Sequence, residues 1–145
     1  GREDCSDEEM IKAAEVACID TFLKDREGLD TKIEHLGANL SGGQKQRISI
    51  ARAICKRPEI YIFDDTFSAL DYRTDINVRK NIAKETSGST ILIVSQRIVT
   101  VKNADRILVL NNGMIVASGK HSELLKDCEL YREMAKLQEY GGDEE

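Results

Sequence analysis

The sequence has no tryptophan, a single proline and no apolar run longer than a few residues, and each shortage narrows its class. Runs such as Ile91-Leu92-Ile93-Val94 stop after four residues, against the roughly 18 or more that a bilayer-spanning helix needs, so no stretch of this chain is expected to cross a membrane. One proline excludes a Pro-rich or collagen-like chain, and a hydrophobic fraction of 41% excludes wholesale disorder. Basic clusters are also missing: 21 Lys+Arg stand against 26 Asp+Glu, net −5, so no phosphate-backbone footprint is visible and no nucleic-acid partner is expected. Cys5, Cys18, Cys55 and Cys128 are widely spaced without a CxxC pair, and His35 and His121 form no metal-ligand spacing. Reduced thiols acting as small hydrophobes in a cytosolic setting are the expectation. There is no signal peptide, and a first residue of Gly rather than Met reads as a processed or excised piece.

What is present amounts to about one domain in 145 residues. Ser6 followed by Glu9 is a capping box, and Met10/Ile11, Ala14, Ala17/Cys18 and Phe22 recur at helical spacing, predicting one amphipathic helix. Residues 28–39 lack periodicity and read as a loop. A second helix is predicted from about Ser41 to Lys56, closed by Arg57-Pro58. Ile60-Tyr61-Ile62-Phe63 and Ile91-Leu92-Ile93-Val94 are continuously apolar, as in strands buried on both faces of a parallel sheet. Residues 71–85 between them suit a crossover helix with Ile76 and Ile82-Ala83 facing inward, completing a βαβ unit. Asn111-Asn112-Gly113 between apolar runs predicts a hairpin. Ser122–Leu125 and Leu130–Gln138 read as helices ahead of a flexible, acidic Gly141-Gly142 end.

The stretch richest in chemistry is Leu40-Ser41-Gly42-Gly43-Gln44. Ser41 and Gln44 are explained by a second capping box alone. Gly42 and Gly43 are not, because each costs a helix roughly 1 kcal/mol relative to alanine. A ligand approaching the backbone explains them: a helix start with free N–H groups, a positive dipole end and a serine hydroxyl make an anion or phosphate site. Asp64 and Asp65 follow four apolar residues at the carboxyl end of a strand, where α/β sheets bind ligands. One such carboxylate can hold Mg²⁺, commonly through water, while its neighbour orients an attacking water near a phosphate. Lys45 and Arg47 are expected on a solvated or interdomain helix face, and Tyr61, Phe63 and Phe67 in the core.

The order of these segments, followed by Ser68-Ala69-Leu70-Asp71, resembles the ATP-binding domain of ABC transporters, especially of export-type ABC proteins. Leu40–Gln44 resembles the signature motif, Ile60–Asp64 the Walker B strand, Ser68–Asp71 the D-loop, and Ile93–Arg97 the switch-histidine strand. Residues 103–107, the hairpin around Gly113 and Gly119–Leu124 match the downstream pattern, so the resemblance covers essentially the whole chain. No G-x-x-x-x-G-K-[ST] segment occurs: Gly119-Lys120 is followed by His121, and Met114 stands where the first glycine belongs. The resemblance therefore implies the C-terminal portion of such a domain. Its fold is expected to be α/β: a helical subdomain over 1–57, part of a parallel-sheet ATPase core over 58–118, and C-terminal helices with an acidic tail over 119–145.

The resemblance implies ATP and Mg²⁺ as ligands, with Asp64 on the metal through water and Asp65 and Gln96 as the catalytic positions. It also implies a second ATP-binding domain packed head to tail, so that Ser41, Gly42, Gly43 and Gln44 serve the partner's ATP, and transmembrane domains that place the whole at the cytoplasmic face of a membrane. Three departures stand out. Asp65 occupies the place of a catalytic glutamate and is shorter by about one C–C bond; misplacement of order 1 Å costs roughly 10²-fold in rate. Gln96 occupies the place of a histidine that contacts the γ-phosphate, and an amide carries no imidazolium charge. His35-Leu36 replace a Glu-Arg pair in a loop that faces the membrane domain. A degenerate own site within a heterodimeric exporter is expected. A non-transport ABC ATPase of DNA-repair or translation-linked type, or a binding module without activity, are the alternatives.

Overall fold

Both helix starts that the sequence marks are in place. The computed structural model describes residue 2 and residues 4–140; the predicted flexible acidic end lies outside them. The chain divides into two units, residues 1–92 and 93–145.

In the first unit, α1 (Asp7–Val16) starts on a Ser6/Glu9 capping box, and α2 (Asp20–Lys24) follows as a separate short helix. The single predicted helix is broken at Cys18, whose φ of 53° lies in the left-handed region. The carbonyls freed at the end of α1 find side-chain donors. Asn81 Nδ2 donates to the Glu15 and Val16 carbonyls at 3.4 Å, and an Arg47 guanidinium N–H donates to the Cys18 carbonyl at 2.6 Å. Arg47, expected on a solvated or interdomain helix face, is half-buried and engaged with the end of α1. The predicted loop carries two 3₁₀ turns, Gly28–Asp30 and His35–Gly37.

Helix α3 (Gly42–Lys56) is the predicted second helix, ended by Arg57 in the left-handed region at φ 46°. Strand β1 (Ile60–Asp64) pairs in parallel with β2 (Thr90–Val94), the crossover being α4 (Tyr72–Glu85). Tyr61 and Phe63 are buried and their rings stack at 6.0 Å, whereas Ile60 and Ile62 are 60% and 66% exposed. Leu92 and Val94 of β2 are also exposed. Burial on both faces, predicted from the unbroken apolar runs, is therefore not observed. Side chains alternate across a strand, and among the described residues only one face of this two-stranded sheet is covered.

Helix α4 buries Ile82 as predicted, but Ile76 and Ala83 face outward. Asp75 and Val78 are also buried. An acid occupies the inward stripe because Arg79 neutralises it one turn later, Nε and a terminal nitrogen donating to the two Asp75 oxygens at 2.7 and 3.0 Å.

The second unit is built on a hairpin, β3 (Ile107–Asn111) and β4 (Met114–Gly119), with a bulge between Val109 and Leu110. Its turn residues Asn112 and Gly113 both have positive φ, 49° and 76°, as a two-residue hairpin turn requires. Helices α5 (Ile98–Val101), α6 (His121–Asp127) and α7 (Glu129–Tyr140) complete it. Ile98, Ile107, Val109, Leu124, Tyr131 and Ala135 form its core. The buried Tyr131 hydroxyl lies 2.9 Å from His121 Nδ1, so its polar end is satisfied. Among the described residues, no helix is long and apolar enough to cross a membrane.

Candidate functional site

The start of α3 has the geometry of a reciprocal capping box. Ser41 Oγ accepts the Gln44 N–H at 3.2 Å, and Gln44 Oε1 accepts the Ser41 N–H at 2.9 Å. Both side chains are accounted for locally, and the N–H groups of Gly42 and Gly43 are those a helix's first turn leaves without an intrahelical partner. The two glycines differ. A Cβ on Gly43 would lie 3.1 Å from the Ala69 carbonyl oxygen and 3.7 Å from Leu70 Cδ2, so its absence permits a close approach. A Cβ on Gly42 would meet nothing nearer than Ala69 Cβ at 3.9 Å. Packing explains Gly43; it does not explain Gly42, which is exposed.

That close approach joins the two predicted segments. The Ala69 N–H donates to Gln46 Oε1 at 3.2 Å, pinning residues 68–71 to the second turn of α3. The turn is further tied by Ser68, whose N–H and hydroxyl both donate to the Asp65 carbonyl, at 3.3 and 2.9 Å. Leu70 is buried, and Asp71 caps α4 by accepting the Thr74 N–H at 3.0 Å. Thr74, through its side chain and its backbone N–H, holds the Asp71 carboxyl below its ordinary value.

Asp64 ends β1 and Asp65 follows it, both exposed. Asp65 has φ 44°, a left-handed conformation that aspartate tolerates better than most residues. The chain therefore turns sharply between the two carboxylates. Among the described residues no cluster of three or more His, Cys, Asp and Glu forms a ready metal cage. An exposed carboxylate at a strand end suits Mg²⁺, which keeps several of its waters, so Asp64 fits that ion held through one of them.

Gln96 lies in the second unit, two residues beyond the end of β2, with an exposed side chain. Its backbone neighbourhood is fixed. Ser95 Oγ accepts the Arg97 N–H at 3.1 Å. Gln138 on α7 donates from Nε2 to the Gln96 carbonyl and accepts the Ile98 N–H at Oε1, each at 2.7 Å.

The structure thus brings Ser41–Gln44 and Ser68–Asp71 together and sets Asp64 and Asp65 at the strand end just before the latter. Gln46, Arg47 and Gln138 carry no sequence signal for these contacts, whose partners lie 23, 29 and 42 or 40 residues away.

The family model described as ABC transporter matches residues 3–68. A putative ABC transporter ATP-binding protein of Mycoplasma genitalium is 47% identical over 138 residues, 94% of this chain and 22% of that protein. An alpha-hemolysin translocation ATP-binding protein of Proteus vulgaris is 47% identical over 133 residues, 90% of this chain and 19% of that protein. The solved structure of a bacterial Atm1-family ABC exporter with ATP bound superposes with a TM-score of 0.89 at 37% identity, over 94% of this chain and 24% of that one. The chain belongs to the ABC transporter ATP-binding family and spans about a fifth to a quarter of the length of these relatives.

Proposed function

We propose that this chain is the portion of an ABC exporter's ATP-binding domain that presents its signature helix to a partner's ATP, and that its own ATP site hydrolyses slowly. The observation that carries the reading is Gly42, an exposed glycine that packing does not require, at a helix start whose first N–H groups lack intrahelical partners. A bare backbone, a positive dipole end and the Ser41 hydroxyl are suited to the terminal phosphates of a nucleotide. Gln44 holds the Ser41 backbone and keeps that turn in register.

The chain's own nucleotide would be served by the carboxyl end of β1 and by Gln96. Asp64 would hold Mg²⁺ through water, and the ion would supply neutralisation of phosphate charge. Asp65 would orient the attacking water, and the Gln96 amide would hydrogen-bond the terminal phosphate. The short reach of Asp65 and the uncharged Gln96 both weaken this site, so the productive partner of the pair is a second, different ATP-binding domain: a heterodimer packed head to tail and coupled to transmembrane domains at the cytoplasmic membrane face. The 145 residues hold no G-x-x-x-x-G-K-[ST] segment, and by themselves are expected to bind ATP weakly and to be inactive. The named relatives, a hemolysin translocation protein and an Atm1-family exporter, favour transport over a DNA-repair or translation-linked role.

The test is Gly42→Glu in the assembled transporter. A carboxylate in the first helical turn favours the helix while occupying the place of the phosphate. Transporter ATP turnover is expected to fall about 100-fold with the fold intact; unchanged turnover contradicts the reading.

A further inference from the structure

Helix α5 begins at Ile98, and the first N–H groups of a helix lack intrahelical partners. Its N-cap residue is Arg97, whose side chain makes no capping bond. The Ile98 N–H is nevertheless satisfied, by Gln138 Oε1 at 2.7 Å, from a residue 40 positions away on another helix. The same amide donates through Nε2 to the Gln96 carbonyl at 2.7 Å. One planar amide thus pairs with a carbonyl and an N–H two residues apart, as a neighbouring strand would. With Ser95 Oγ on the Arg97 N–H, the backbone from 96 to 98 is held on all three residues. The Gln96 side chain is left exposed. On the other side of this contact, α7 is anchored in the core of the unit by Tyr131 and Ala135, with Ile98 in the same cluster.

We propose that Gln138 is a positioning residue for the loop carrying Gln96, so that α7 sets where the Gln96 amide stands relative to the nucleotide. The inference rests on the role of Gln96 proposed above. Loop backbones without such a clamp sample alternatives of an ångström or more, and a displacement of about 1 Å at a reacting centre costs up to roughly 100-fold in rate. Because Gln138 touches backbone and not substrate, its loss is expected in kcat and not in ATP affinity.

The experiment uses the assembled transporter with hydrolysis silenced at the other of its two ATP sites. Gln138→Met keeps length and volume but removes both hydrogen bonds; Gln138→Glu keeps the acceptor and loses the donor. For Gln138→Met, kcat is expected to fall about tenfold with KM for ATP and the melting temperature unchanged. The peptide spanning residues 95–101 is expected to exchange its amides faster, by roughly tenfold, as local opening becomes easier. Gln138→Glu is expected to fall between Gln138→Met and the parent in both readouts, and it decides the matter if Gln138→Met fails to assemble. Faster exchange with unchanged kcat overturns the proposal, as does unchanged exchange. Gln96→Ala is the control. If it slows turnover while Gln138→Met does not, only the role of Gln138 fails. If it leaves turnover intact, the role of Gln96 fails and the inference falls with it.

Discussion

Gln46 and Ala69 are tied by a single hydrogen bond: the side-chain oxygen of Gln46, one turn into α3, accepts the Ala69 N–H at 3.2 Å. Beside it, Gly43 lets the Ala69 carbonyl come to a distance that would be tight for a Cβ. The start of α3 and the turn over residues 68–71 are therefore one packed piece, and the glycine pair divides its labour between packing and an open approach.

Substituting the two glycines separately distinguishes these jobs. In Gly43→Ala, the new methyl meets backbone at 3.1 Å, so the helix and the 68–71 turn must move apart and the urea midpoint is expected to fall. In Gly42→Ala, the space is open, and stability is expected to hold or rise by about 0.4–1 kcal/mol through the unfolded chain, while nucleotide turnover in the assembled transporter drops. Equal effects of the two on stability would argue against the division.

The Asp75–Arg79 pair is the most buried charge interaction among the described ion pairs, with side-chain exposures of 2% and 17%. Removing one partner from such a pair leaves an uncompensated buried charge, which costs about 3–5 kcal/mol. Arg79→Met is expected to destabilise the chain by that order in equilibrium denaturation, and Asp75→Asn/Arg79→Met together by less. A single variant within about 0.5 kcal/mol of the parent would show that the pair is solvated.

Asp71 links the turn over residues 68–71 to α4, and its carboxyl is held below its ordinary value by Thr74. A group with a depressed folded pKa contributes stability above its unfolded pKa, and loses it as pH falls through the folded value. The contribution is therefore full at neutral pH and is lost on acidification below about 3.9. Asp71→Asn keeps a capping oxygen but no charge, and is expected to flatten the acid limb of stability against pH. An unchanged acid limb would place the sensitivity elsewhere.

Cys55 lies against α1, its Sγ 3.9 Å from the Glu9 carbonyl. Burial, then Cys5, pushes its thiol up to about 11 from 9.0. Alkylation at pH 8 depends on the thiolate fraction, so Cys55 is expected to react about 100-fold more slowly than an unperturbed thiol. Mass mapping after brief iodoacetamide treatment reads this directly; equal labelling in the folded and denatured chain would contradict it.

Features set by neighbours in sequence were legible before the structure. The Ser6/Glu9 and Ser41/Gln44 boxes join residues three apart, the Asn112-Gly113 turn needs positive φ at two residues, and the apolar runs mark β1 and β2. What escaped depends on distant partners. Nothing local says that Cys18 adopts a left-handed conformation, because the carbonyls of that helix end accept hydrogen bonds from Arg47 and Asn81 on other helices. The sequence pattern of α4 points Ile76 and Ala83 inward beside Ile82, because Asp75 counts as polar until Arg79 neutralises it. Among the site residues, Ser41–Gln44 and Asp64-Asp65 were visible as segments, but the separate jobs of Gly42 and Gly43 required the position of Ala69.

The central claim is that the chain's own ATP site is weakened by Asp65 and Gln96 while its signature helix remains competent. The most direct measurement is ATP turnover by the assembled transporter, with hydrolysis silenced at the other of its two ATP sites, carrying Asp65→Glu and Gln96→His together. The account predicts a rise of about tenfold or more at this chain's own site, with the signature helix untouched; unchanged turnover would contradict it.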